Sequence, residues 1–245
     1  MSLDVAFTPA SLAKDEVAGR GVFVIDILRA TTTMCAALYH GAKSIIPAGS
    51  IEEAMKLLQT LGSDDVLLAG ERQGRPIPGF SLGNSPLEMT ESRVKAQTLI
   101  MTTTNGTGAL LATAGAGRVY LAAAANLSVA GARARQLLAE GADLLIVCAG
   151  RDGQFSLDDA YTAGRLVMET LGGRTRLDGL NDAAVAAVDL VRRYGGRWDL
   201  PLVRSAAGRE LEAIGMADDV AEAGKQDRYP VLPVWHDRRV LAVSA

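Results

Sequence analysis

The stretch "VFVIDILRATTT", residues 22–33, decides the fold. Its first half is an unbroken β-branched and aromatic run that ends in an acid, Asp26, and reads as a strand buried on both faces over residues 22–26. Its second half carries Arg29 and three threonines, Thr31, Thr32 and Thr33, into a helical stretch over residues 33–40. A strand that leads straight into a helix opens a βα unit. Two readings of its polar residues stand side by side. Asp26 and a threonine can end the strand and cap the helix. Alternatively they form one wall of an anion site, because free N–H groups and a partial positive charge collect at a helix N-terminus.

Outward from this unit the alternation continues. Apolar segments at 44–48, 66–70, 98–101, 118–122 and 144–148 predict further strands, and 51–61, 107–114 and 126–140 predict helices between them. Gly41, Gly62 and Gly141 stand where helices end on glycine. From about residue 157 to 222 the pattern is mainly helical, and the last residues predict two short strands around His236, Asp237 and Arg238. The expectation is a three-layer α/β/α fold with a largely parallel central sheet and a helical C-terminal section, residues 1–245 forming a single domain.

Composition narrows the function. The net charge is -3, from 25 Lys and Arg against 28 Asp and Glu, and only 4% of residues are aromatic. A nucleic-acid binder would show a basic face and, for single strands, stacking rings. No apolar run approaches the ~20 residues needed to cross a bilayer, and the first residues lack the basic-then-apolar order of a secretory signal. Cys35 and Cys148 sit in apolar surroundings with no metal-ligand spacing, so two reduced thiols in a cytoplasmic protein are expected.

Four polar clusters fall between a strand and a helix. The first is Asp26, Arg29 and the threonines. The second is the long loop "AGERQGRPIPGFSLGNSPLE", residues 69–88, with Glu71 and Arg72 at the strand end and Asn84 beyond. A loop of that length is functional or disordered, and Ile77, Phe80 and Leu82 can anchor it. The third is "MTTTNGTGALL", residues 101–111, where Thr104 or Asn105 can cap the helix or face a ligand. It lacks the lysine of a P-loop. The fourth is "VCAGRDGQFSLDDAYTAG", residues 147–164, with Arg151 and the paired acids Asp158 and Asp159. First-turn acids suit the helix dipole and also suit a hard cation. In open α/β sheets ligands gather at strand carboxyl ends. Carboxylates, arginines and threonines converging there point to a Mg²⁺-assisted phosphate site.

Other chemistries fit poorly. With only His40 and His236 present, a histidine triad or phosphohistidine is not expected. Arg151 follows Cys148 by three residues, too soon for a cysteine-phosphatase loop, and Leu28 stands where aspartyl-phosphate phosphatases carry a second acid after Asp26.

Taken together, "VIDILRATTT", "GERQGRPIPGFSLGNSPLE", "TTTNGTGAL" and "CAGRDGQFSLDDAYTAG" resemble the 2-phosphosulfolactate phosphatase family, the ComB-type proteins. The resemblance extends to "RSAAGRELEAIGMADDVAEAG" near the C-terminus. It implies a Mg²⁺-dependent phosphatase that hydrolyses 2-phospho-3-sulfolactate to sulfolactate and phosphate, a step towards coenzyme M. Substrate identity is the least constrained part, and another small anionic phosphoester is compatible with it. A non-catalytic binding protein for such a metabolite is the alternative.

The expected roles follow. Asp26, Glu71, Asp158 and Asp159 supply metal ligands, and Asp159 serves as proton acceptor. Arg29, Thr31, Thr32, Thr104 and Asn105 cradle the phosphoryl group. Arg72, Asn84 and Arg151 hold the rest of the substrate. A homodimer is the base-rate expectation for assembly.

Overall fold

The computed structural model describes residues 1–13, 16–62, 64–173 and 179–243. Its strands are β1 (Leu3–Ala6), β2 (Gly21–Ile25), β3 (Ser44–Pro47), β4 (Val66–Arg72), β5 (Arg75–Pro76), β6 (Thr98–Thr102), β7 (Arg118–Ala122), β8 (Leu144–Cys148), β9 (Leu232–His236) and β10 (Arg239–Val243). Its helices are α1 (Ala30–Tyr39), α2 (Ile51–Leu61), α3 (Glu91–Val94), α4 (Gly106–Ala112), α5 (Leu127–Ala139), α6 (Leu157–Leu171), α7 (Asp182–Tyr194), α8 (Asp199–Arg204), α9 (Ala206–Ala213) and α10 (Ala217–Ala223). The expected three-layer α/β/α arrangement, with a mostly parallel sheet and a helical C-terminal part, is present.

Among the described residues the strands form one ten-stranded sheet in the order β1-β8-β2-β7-β9-β10-β3-β6-β4-β5. Two parallel blocks, β1-β8-β2-β7 and β3-β6-β4, are joined by the antiparallel hairpin β9–β10. That hairpin turns through Asp237 and Arg238, both at positive φ (47° and 61°), as a two-residue turn between right-twisted strands requires. The sequence reading placed the hairpin but not its position at the centre of the sheet, and it missed β1, which is only four residues long.

Alternation along the strands builds two sides of the core. Phe23 and Ile25 face the layer of α5, α6 and α7 with Ile146 and Tyr120, whereas Val22 and Val24 face α1 with Val147 and Leu121. A period of two sends successive side chains to opposite faces. In the second block, Ile46, Leu68 and Ile100 pack with Ala54 of α2, while Ile45, Leu99 and Met101 join the α1 side. Every residue of α1 from Ala30 to Leu38 is buried, as expected of a helix apolar all round.

Three successive antiparallel pairings separate β7 from β3, so the two parallel blocks run in opposite directions. In a flat sheet β8 and β6 would lie six strand spacings apart, roughly 29 Å. Instead the Asp152 N–H beyond β8 donates to Asn105 Oδ1 beyond β6 at 3.2 Å. The sheet therefore curls around α1, and the loops after β2, β4, β6 and β8 meet.

Candidate active site

The meeting point is a cleft of about 460 Å³ lined by Asp26, Arg29, Glu71, Asn84, Thr104, Asn105 and Arg151, together with Leu28, Gln73, Gly74 and Asp152. Its far wall comes from the C-terminal helices, through Ala207, Glu210, Leu211, Ala213 and Ile214. The resemblance reaches these residues through "RSAAGRELEAIGMADDVAEAG", but no site role is expected of them from the sequence. Glu210 and Leu211 look there like ordinary residues of an amphipathic helix.

Each strand end delivers its residue by a local device. At β2 the Thr31 hydroxyl donates to Asp26 O at 2.8 Å and accepts from Asp26 N at 3.1 Å, and the Thr32 hydroxyl donates to Ile27 O at 2.9 Å. Both threonines are buried, and they fix the strand-to-helix turn rather than line the cleft. At β4, Gly70 has φ 148° and passes so close to Thr102 O that a Cβ would collide with it. This close approach presents Glu71. Arg72 turns away, donating to Glu71 O at 2.7 Å and to Thr102 Oγ1 at 2.9 Å, outside the lining. At α4 the N-cap residue is Asn105, which makes no side-chain cap bond; instead the Thr103 hydroxyl accepts from Thr107 N at 3.0 Å while Thr107 Oγ1 accepts from Thr103 N at 3.1 Å. The side chains of Thr104 and Asn105 are thereby left to face the cleft. Gly106 completes the junction, since a Cβ there would collide with Asp26 Oδ2 and Ala30 Cβ.

The acids divide into two sets. Asp26 and Glu71 line the cleft. Asp159 lies behind it, with Oδ1 accepting from Ile27 N and Oδ2 from Gly150 N, both at 3.0 Å, so it ties the end of β2 to the end of β8. Asp158 accepts from the Ser156 hydroxyl and is buried, also off the lining. The expected sites at Thr31, Thr32, Arg72, Asp158 and Asp159 thus stand outside the cleft surface. A sequence shows that two acids open a helix but not which way a buried turn aims them.

Burial raises Asp26, Asp158 and Asp159, and repulsion between carboxylates adds to it at Asp26 and Asp159. Asp26 is pushed up to about 7 by burial first, then by Asp158 and Glu71, with the Ala30 N–H and Arg29 opposing. Burial followed by Asp158 and Asp26 raises Asp159 well above the usual carboxylate range, and burial raises Asp158. The cations are already paired. Arg29 Nη1 meets Asp219 Oδ2 at 2.6 Å, and Arg151 pairs with Glu210. The peptide bond between Leu28 and Arg29 is cis.

Among the described residues no three Asp, Glu, His or Cys side chains gather as a ready metal cage. The donor set still fits a magnesium ion, which takes one or two carboxylates and completes its octahedron with water and substrate oxygens. Asp26 and Glu71 supply two carboxylates at the cleft, and their repulsion is the kind a cation relieves.

A family model described as 2-phosphosulpholactate phosphatase matches residues 6–238. The chain belongs to the 2-phosphosulfolactate phosphatase family. A family member from Symbiobacterium thermophilum, named "Probable 2-phosphosulfolactate phosphatase", is 42% identical over 230 residues, covering 94% of this chain and 97% of that protein. Proteins of the same name from Caldanaerobacter subterraneus subsp. tengcongensis and Deinococcus radiodurans are 38% and 41% identical, over 95% and 86% of this chain and 95% and 85% of their own lengths. The 2-phosphosulfolactate phosphatase match spans the strand-end loops and the helices of the far wall alike. Among the described residues no helix is long and apolar enough to cross a membrane.

Proposed function

We propose that the chain hydrolyses 2-phosphosulfolactate to sulfolactate and phosphate with the help of Mg²⁺. Family membership supports the phosphatase chemistry. The observation that carries the reading is the cleft itself, where Arg29 and Arg151 meet Asp26 and Glu71 beside Thr104 and Asn105, with Asp152 and Glu210 also in the lining. Arg29 and the Thr104–Asn105 turn at the start of α4 face the phosphoryl group. Arg151 meets the substrate's carboxylate or sulfonate, exchanging its exposed Glu210 partner for the ligand. A bound Mg²⁺ would supply Lewis-acid neutralisation of phosphoryl oxygens, held by Asp26 and Glu71.

Asp26 takes the role of proton acceptor that the sequence reading gave to Asp159. It lines the cleft, which Asp159 does not, and a carboxylate oxygen not taken up by the cation can accept a proton from water. Asp159 lies off the cleft lining, its two oxygens accepting from the Ile27 and Gly150 N–H groups. Water attacks phosphorus as the P–O bond to the ester oxygen breaks, Asp26 accepts the proton that the attacking water loses, and that proton passes to the departing sulfolactate oxygen, leaving Asp26 as a carboxylate again. Two buried free cysteines suit a cytoplasmic location, which is part of the same proposal, as is the place on the route to coenzyme M.

The test is phosphate release from 2-phosphosulfolactate, with Mg²⁺ and with EDTA, beside a panel of common phosphoesters. Fast, chelator-sensitive release that favours 2-phosphosulfolactate is expected. Preference for another panel member would replace the substrate, and undiminished release in EDTA would remove the metal.

A further inference from the structure

We propose that Asp219, on α10, is a positioning residue for this reaction, holding the Arg29 guanidinium at the cleft so that the C-terminal helices set how the phosphoryl group is met. The inference rests on the phosphatase reading of the cleft. Asp219 is 4% exposed and Arg29 3% exposed. Asp219 Oδ2 accepts from Arg29 Nη1 at 2.6 Å, and Oδ1 accepts from the Ser85 hydroxyl at 2.6 Å. Arg29 Nη2 donates to Gly74 O at 2.6 Å, and Nη1 also touches Met216 Sδ at 2.8 Å.

The guanidinium is held directly by Gly74 after β4, by Asp219 in α10 and by Met216 just before it, and Ser85 steadies Asp219 from its other oxygen. Arg29 lines the cleft, whereas Asp219 does not. Among the described residues Arg29 Nε has no protein partner, so the guanidinium keeps a donor for a ligand. A buried ion pair is weak evidence of stabilisation, because removing both charges from water opposes their attraction. Its clearer consequence is geometric. A planar guanidinium held at both Nη atoms has few orientations open to it, and transition-state contacts lose effect steeply with small misplacement. Neither the α10 stretch "ADDVAEA" nor the resemblance assigned Asp219 any part in the site.

Asp219→Asn preserves size and can still accept from Ser85, but it withdraws the charge that fixes Arg29. Expected is a 10- to 100-fold fall in kcat/KM for 2-phosphosulfolactate, carried mainly by kcat, with partial recovery in Asp219→Glu. In an Arg29→Lys background the same change should add no more than twofold, since residues that act through one another are not additive. If Asp219→Asn does not fold, Ser85→Ala loosens the same carboxylate from its other side and should cost 3- to 10-fold, again lost in the Arg29→Lys background. A folded Asp219→Asn or Ser85→Ala with kcat/KM within twofold of the parent overturns the proposal. So do effects that multiply with Arg29→Lys. If the parent hydrolyses no phosphoester, calorimetric titration with inorganic phosphate reads the positioning separately: at least tenfold weaker binding in Asp219→Asn upholds it, and unchanged binding overturns it.

Discussion

Glu71 accepts from Thr104 through both carboxylate oxygens: the main-chain N–H reaches Oε1 at 2.7 Å and the hydroxyl reaches Oε2 at 3.1 Å. Gly74 N–H adds a third donor to Oε2 at 2.8 Å. One side chain at the end of β4 therefore fixes the loop after β6 and its own hairpin. Glu71→Gln must turn an N–H₂ group towards one of those donors. The unfolding free energy should fall by about 1–3 kcal/mol, seen as a lower urea midpoint at unchanged slope, with phosphate release down at least tenfold.

Asp26 gives a signed pH dependence. Its carboxyl rises from 3.8 to about 7 on folding, so between those values the native state holds the proton more tightly than the unfolded chain does. Stability contributed by Asp26 is greatest below pH 3.8, declines as pH climbs towards 7 and is flat above that. Asp26→Asn should flatten this slope and be more stable than the parent at pH 8, on the order of a few kcal/mol, while losing at least a hundredfold in kcat. Denaturant titrations at several pH values, run beside phosphate release, check both halves. A parent-like slope in the variant would show that Asp26 does not cause it.

Asp159 should behave in the opposite way. Truncation to alanine leaves the Ile27 and Gly150 N–H groups buried without an acceptor, at a cost of roughly 2 kcal/mol or more. The folded fraction should keep kcat within about tenfold of the parent. A loss of kcat as deep as that of Asp26→Asn, with stability unchanged, would return the proton-acceptor role to Asp159.

Asn84 is 4% exposed, lines the cleft, and its Oδ1 has no hydrogen-bond partner among the described residues. A buried amide oxygen held without a partner is rare, and a ligand donor would satisfy it. Asn84→Ala should leave the thermal midpoint within about 2 °C, since no protein hydrogen bond of that oxygen is lost. It should raise KM about tenfold with a smaller change in kcat. A fall in the midpoint with KM unchanged would make Asn84 a packing residue.

The strands that form the cleft were legible because each is a continuous apolar run ended by polar residues. Asp26, Glu71 and Arg151 follow such runs directly, and all three reach the cleft. Thr31 and Thr32 show why the sequence leaves roles open: a hydroxyl in a first helical turn can serve the main chain or a ligand, and here both bond to the main chain. Arg72 lies off the lining because its neighbour Glu71 faces the cleft, and alternation along a strand turns the next side chain away. Glu210 and Asp219 lie in the stretch that shares the resemblance but carry no expected role, because contacts 59 and 190 residues apart in the chain leave no local pattern.

The hairpin β9–β10 has a consequence for synthesis. It fills the middle of the sheet yet is made after the eight strands that flank it. Until residues near 240 leave the ribosome, β7 and β3 lack the partners they have in the finished sheet, and unpaired strands invite pairing with other chains. The nascent protein must therefore hold two half-sheets apart and then close them with a single late insertion, so a stalled or shortened chain would be a candidate for aggregation or chaperone capture rather than a slightly weaker enzyme.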